Sequence, residues 1–346
     1  MKKPETDDEP YLWDRSGEPD PDVVRLETVL GQLRQHGPLP ALPARPRRVL
    51  RVSTWTLGVL SAAAAVLLIA AAGWFVLERA RSGWLVQTIA GTPVIDGIRA
   101  GDTRAAADVR LGIGEWLVTD GLSRARIAVG QIGRVDVGPN TRLQLMEARG
   151  REHRMALTRG TIHARIWAPP KFFYVNTPSA TAIDLGCEYT LQVDDSGAGL
   201  VRVTLGWVGF EGGGREAFIP EGAVGATRPG VGPGTPYYED APSGYGEALA
   251  ILDFGRPDDP ERAAAFELVL SSARRRDALT LWHLLSRVTP AERPRVFDRL
   301  AALAPPPRAV TRAAVLAGDR RALDQWWDSL GIDSPTWWKL WKKKKW

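Results

Sequence analysis

The chain has 346 residues, 44% of them hydrophobic and 25% charged, which excludes a disordered polypeptide and leaves room for two or three structural units. A formal net charge of +5 is small for this length, so no direct nucleic-acid partner is expected. Cys187 is the single cysteine, which excludes an intramolecular disulfide and a cysteine-rich zinc site; it reads as a small buried hydrophobe.

Residues 1–51 read as a cytoplasmic tail. Asp20-Pro21-Asp22 is a helix start, with an acid at the cap and proline at the first helical position. Val23, Leu26, Leu30 and Leu33 then recur at helical spacing over about 21–36, with Arg25, Glu27 and Arg34 between them, and Gly37-Pro38 is the expected end. A helix this short is marginal alone in water and cannot bury its own apolar stripe, so it needs a partner, either another protein, the membrane surface or a second copy of itself, and those four residues are the expected partner-binding surface. The stretch GPLPALPARPRR behind it reads as a stiff, extended linker.

From Trp55 to Leu77 there are about 23 residues without a charge, enough to cross a bilayer as a helix, and a transmembrane helix is expected over 52–78. Arg45, Arg47, Arg48 and Arg51 on one flank outweigh Arg79 and Arg81, which Glu78 partly offsets. The positive-inside bias therefore predicts a single-pass protein of the inner (cytoplasmic) membrane, its N-terminus cytoplasmic and its C-terminal domains extracytoplasmic, in the periplasm.

Between 83 and 229 the pattern changes to short runs with period-two alternation, such as RARIAV (124–129), RLQLM (142–146), TIHARIW (161–167) and LVRVTL (200–205). Turn signals separate them at GPN (138–140), Arg159-Gly160, DDSG (194–197) and EGGG (211–214), a spacing that suits a sandwich, roll or solenoid. Residues 230–246 form a Pro/Gly-rich connector. Over 247–331 Ala, Leu and Arg recur at helical spacing in segments 259–275, 277–288, 290–304 and 308–317, a small α-helical domain of stacked helix pairs, the kind of surface that binds protein. The tail 332–346 interleaves Trp337, Trp338 and Trp341 with Lys339, then runs Lys342, Lys343, Lys344, Lys345 to Trp346; indoles and lysines together suit a membrane surface or another anionic envelope polymer.

The β region resembles the FecR domain of bacterial transmembrane regulators that act beside extracytoplasmic-function sigma factors. EWLVTDGLSRARIAV (115–129), IGRVDVGPNTRLQL (132–145), LTRGTIHARI (157–166), FYVNTPSATAIDLGCEYTLQV (173–193) and VRVTLGWVGFEG (201–212) carry the resemblance over about 140 residues. It implies a β-solenoid-like roll placed after one membrane helix, in a mainly β plus α chain, and a sigma factor or other cytoplasmic regulator held by the N-terminal tail. The residues matching the motif read as scaffold. Thr177-Pro178 makes a corner between strands, Asp184 caps a turn, Gly186 and Gly206 sit where a strand bends, and Tyr189 belongs to the same run. The tail has His36 but no cysteine, so a zinc-bound anti-sigma domain is not expected.

Nothing in the sequence reads as an active site, a cofactor site or a metal site. His36, His153, His163 and His283 are scattered without metal-ligand spacing, Gly212 to Gly214 lacks a P-loop lysine, and Asp194-Asp195 before Ser196-Gly197 reads as a turn. Two non-enzymatic functions follow: an anti-sigma-like signalling regulator with an outside sensor domain, or a membrane-anchored envelope scaffold that binds a protein or glycan and has no sigma-factor partner.

Overall fold

Period-two alternation becomes a run of strands whose inward residues are buried and whose outward residues are not. The computed structural model describes residues 16–17, 19–33, 37, 67–68, 83–96, 98–99, 109–150, 152–256 and 258–332. Chain contacts divide it into two units, Met1–Ala64 and Ala65–Trp346. The first contributes helix α1 (Pro21–Gly31). Gly31, the costliest helical residue short of proline, closes the helix earlier than the spacing predicts, with Gln32 and Leu33 in a turn.

In the second unit the strands are β1 (Trp84–Ala90), β2 (Val94–Ile95), β3 (Ile98–Arg99), β4 (Val109–Leu111), β5 (Trp116–Val118) and β6 (Arg124–Val129). There follow β7 (Gly133–Val137), β8 (Arg142–Arg149), β9 (Glu152–Ile166), β10 (Phe173–Asn176), β11 (Thr181–Asp184) and β12 (Glu188–Val193). The last are β13 (Gly199–Leu205), β14 (Trp207–Gly212), β15 (Arg215–Pro220), β16 (Ala223–Arg228), β17 (Gly232–Pro233) and β18 (Tyr237–Tyr238). One ladder runs β4–β1–β6–β7–β9–β12–β13–β16, with β17 and β18 both on β16. The other runs β3–β2–β5–β8–β9–β10–β11–β14–β15.

Both ladders share β9, a strand of 15 residues whose first half pairs with β8 and β10 and whose second half pairs with β7 and β12. Its alternation places Met155, Leu157, Ile162, Ala164 and Ile166 in one core with Ile127 and Val135 of the first ladder and Leu143, Phe173 and Phe210 of the second. Arg159-Gly160 is therefore not a turn between strands but the bend inside β9. Gly160 sits at φ +95°, and a Cβ there would meet the Thr141 Oγ1 at 2.3 Å and the Thr141 Cα at 2.4 Å. Thr141 is itself fully buried and its hydroxyl accepts from the Thr161 amide at 3.0 Å, so it cannot withdraw. Gly160→Ala is expected to cost about 2 kcal/mol through strain and overpacking. Urea unfolding measures it; an unchanged midpoint would mean that the bend relaxes freely.

These ladders correct the expected β-solenoid-like roll. Solenoid coils stack parallel strands, whereas among the described strands only β9–β10 is parallel and every other ladder is antiparallel, the eighteen strands joining into one mixed sheet. Local chemistry drives this: Asp194 Oδ1 accepts from the Ser196 and Ala198 amides, and Gly197 and Gly213 at positive φ reverse the chain within a few residues.

Six further helices follow, α2 (Tyr245–Phe254), α3 (Arg262–Ser272), α4 (Ala278–Leu284), α5 (Arg293–Leu303), α6 (Arg312–Leu316) and α7 (Arg320–Ser329). They bury their own core around Tyr245, Phe266, Leu281, Val296 and Trp326. Leu279 of α4 and Trp327 of α7 instead join the sheet's core, where Trp327 packs at 5.9 Å from Phe218 and 6.3 Å from Trp207. The connector 230–246 supplies β17 and β18, and its residues 232–236 are buried.

A second correction concerns the membrane. Among the described residues no helix is long and apolar enough to cross a bilayer. The longest described helices have 11 residues, about half the length that a hydrocarbon core of about 30 Å requires. No described helix supports the single-pass topology or the inner-membrane placement; of the expected span 52–78, all but Leu67 and Leu68 lies outside the described residues. Trp337, Trp338, Lys339, Trp341, Lys342 to Lys345 and Trp346 also lie outside them.

Candidate functional site

Helix α1 is built from its first turn. Asp20 Oδ1 accepts from the Asp22 amide at 2.7 Å, satisfying one orphan donor, and Pro21 starts the helix at no cost because its missing N–H would have had no partner there. None of its residues is buried. Leu26 is 59% exposed, Leu30 56% and Leu33, two residues beyond the helix end, 79%; Val23 is half-buried. Val24 and Val29 widen the exposed apolar surface, and the sequence reading passed over both.

The motif residues of the β region are placed differently. Thr177 closes the turn from β10 to β11: its amide donates to the Ala180 carbonyl at 2.8 Å, and its hydroxyl accepts from the Ala180 amide at 3.0 Å. Pro178 sits inside that turn, and the Ser179 hydroxyl ties it to Thr227 on β16. At the other end of β11, Asp184 is almost fully buried. Its Oδ1 accepts from the Gly186 amide at 2.7 Å and its Oδ2 from the Cys187 thiol at 2.8 Å. Burial pushes the Asp184 carboxyl up to about 7, against those two hydrogen bonds, and pushes the Cys187 thiol up as well. Gly186 and Gly206 both have positive φ, and a Cβ on Gly206 would lie 2.3 Å from the Gly186 carbonyl oxygen. Tyr189 is fully buried beside them. Asp184, Gly186, Gly206 and Tyr189 fix the corner where β11, β12 and β14 meet, whereas Pro178, in the turn from β10 to β11, is exposed.

Outside the core, a polar band crosses the first ladder. Glu188 on β12 accepts from Arg165 and, at 3.0 Å, from His163, both on β9, while Arg126 on β6 pairs with Asp136 on β7. The Arg165 guanidinium, with His163 and against a smaller cost of desolvation, holds the Glu188 carboxyl down to about 2. Its members satisfy one another, so the band is a network of polar contacts across neighbouring strands. His153 packs on Trp84 at 6.0 Å, and burial lowers its basicity. Burial, with Arg287 nearby, brings His283 down to about 3; it is neutral, its Nε2 accepting from the Phe218 amide at 3.1 Å and its Nδ1 donating to the Leu279 carbonyl. Among the described residues no group of three or more His, Cys, Asp or Glu is arranged to hold a metal ion.

A feature the sequence reading missed lies where the helices meet β15. Asp253 on α2 accepts from the Thr235 amide at 2.6 Å and hydroxyl at 3.0 Å, and stands 3.7 Å from Arg287. Arg287 is only 4% exposed, and its Nη2 donates to the Glu216 carbonyl at 2.8 Å. Burial, with Arg215 nearby, brings the Arg287 guanidinium down to about 10. No local spacing pairs residues 253 and 287, so only the folded chain reveals the pair.

No family model and no curated protein matches the sequence. Among solved structures, a crystal structure from Parabacteroides distasonis ATCC 8503, provisionally described as an anti-sigma factor, aligns at 14% identity and TM-score 0.32. That match covers 38% of this chain and 63% of the other, so this chain spans a little under two thirds of that neighbour's length. A second, with the same description and organism, aligns at 15% identity and TM-score 0.31 over 44% of this chain and 72% of its own. Likeness at that level establishes neither the family nor the activity of this chain.

Proposed function

We propose that this chain is a non-enzymatic regulator that holds a sigma factor of the extracytoplasmic-function class through helix α1. The observation that supports the reading is the capped helix whose Leu26 and Leu30, with Leu33 in the turn that follows, are each more than half exposed. An amphipathic helix laid into an apolar groove uses anchors three and four residues apart, the spacing these residues have. Burial of two leucines is worth about 3–6 kcal/mol, enough to set the affinity of such a complex.

The full-length chain and its Leu26→Asp/Leu30→Asp variant, immobilised in parallel, test this against the host's sigma factors. Retention of one sigma factor by the parent and a loss of about a hundredfold or more in the variant is the expected result. Both substitutions fall on exposed positions, so circular dichroism should show the β signal unchanged. No sigma factor retained, or equal retention by both chains, would remove this reading.

A further inference from the structure

A cavity of about 490 Å³ opens between β15, α4, α5, α6 and α7, a size suited to a small organic molecule. Its wall carries four guanidinium groups, Arg215, Arg287, Arg293 and Arg320, against two carboxylates, Glu216 and Asp324. They are graded in depth: Arg320 at the rim, 3.8 Å from Glu216, is 62% exposed, Arg215 31%, and Arg287 at the floor 4%. Asp253 behind the floor balances Arg287 in part, at 3.7 Å, and Arg215 at 3.9 Å. A small positive excess remains. The lining also includes the apolar residues Phe218, Trp282, Leu285 and Leu323.

Arg293 makes the cavity more than a basic dent. Its Nη1 donates to the Leu316 carbonyl at 2.9 Å, which fixes the side chain, while its Nε is buried with no acceptor. A buried guanidinium N–H without an acceptor costs about 1–3 kcal/mol; this Nε is closed to solvent, so an anion in the cavity would meet the Arg293 charge rather than that N–H. Neutral His283 at the same wall adds no charge, because its ring nitrogens are occupied by the Phe218 amide and the Leu279 carbonyl.

We propose that this cavity binds a small organic acid, its carboxylate held by Arg293 and Arg320 and its apolar body laid on Trp282 and Phe218. A single negative charge suits the small positive excess better than a phosphate dianion does, and a planar carboxylate fits the guanidinium fork. The site is independent of helix α1, so it stands or falls apart from the reading above.

Indole-3-acetate is the probe, with indole-3-acetamide and inorganic phosphate as comparisons, each titrated into the full-length chain by ligand-observed NMR. The acid should bind at least about tenfold more tightly than the amide, since a charged hydrogen bond is lost with the carboxylate. Arg293→Met should weaken the acid by about tenfold or more and leave the amide unchanged. Arg320→Ala, at the exposed rim, should weaken it about threefold and decides the matter if the first variant fails to fold by circular dichroism. Equal binding of acid and amide, no binding at about 5 mM, variants that bind as the parent does, or displacement of the acid by a lower concentration of phosphate would each overturn the proposal.

Discussion

Replacing Asp253 by alanine should destabilise the Ala65–Trp346 unit by about 3–5 kcal/mol, a large part of the stability of most domains. The Asp253 side chain is 2% exposed and the Arg287 side chain 4%, so water cannot replace the lost carboxylate around the guanidinium. The substitution also strands the Thr235 amide, which donates to Asp253 Oδ2 at 2.6 Å. Asp253→Asn keeps an acceptor for that amide but removes the charge, and should fall between alanine and the parent. Asp253→Ala/Arg287→Met removes both charges and should recover much of the loss, because the penalty belongs to the unpaired cation. Urea unfolding of the parent, Asp253→Ala, Arg287→Met and the double variant measures the cycle, with Asp253→Asn alongside. A cost below about 1 kcal/mol for Asp253→Ala would show that the pair is hydrated, and strict additivity would show that the two residues do not act together.

What the sequence makes legible is what is local. The cap of α1 joins Asp20 to Asp22, and the turn at 194–198 is held by Asp194, each within four residues. Strand existence is legible for the same reason, since alternation is read within six or seven residues. The order of strands is not, because it depends on pairings such as Val175 with Met155 and Thr181 with Glu211. Gly160 shows how a local rule misleads: glycine after arginine reads as a turn, yet its positive φ bends one strand between two ladders. Helix ends drift similarly, and the segment 259–275 contracts to Arg262–Ser272. The candidate surfaces divide on the same line. The stripe of α1 is visible in the spacing of its leucines, while the basic cavity draws on Arg215, Arg287, Arg293 and Arg320 from four separate parts of the chain. Asp184 lies between these cases: its cap on the Gly186 amide is local, but its burial depends on the whole core.

That burial makes Asp184 a measurable pH effect. In the unfolded chain its carboxyl titrates near 3.8, whereas burial in the folded chain pushes it up to about 7. Between those values the native state keeps a proton that the unfolded state has lost, so the group's contribution to stability is fully present below 3.8 and is lost as pH rises towards 7. Above about 7 the fold carries a buried carboxylate, at a cost on the order of 4 kcal/mol relative to acid pH. His283 has the opposite sign. Its folded value is lowered from 6.5 to about 3, so it destabilises the fold as pH falls below 6.5, and the profile of the parent alone will not isolate Asp184. Asp184→Asn does isolate it, since the amide has the same shape, can still accept from the Gly186 amide and does not titrate. The variant should be close to the parent, or slightly less stable, at about pH 4, and should gain on it steadily up to about pH 8, with the difference changing by about 4 kcal/mol. Urea unfolding at half-unit steps follows that difference directly. A difference that stays constant across the range would mean that Asp184 ionises at its ordinary value, and that water reaches the corner between β11 and β12.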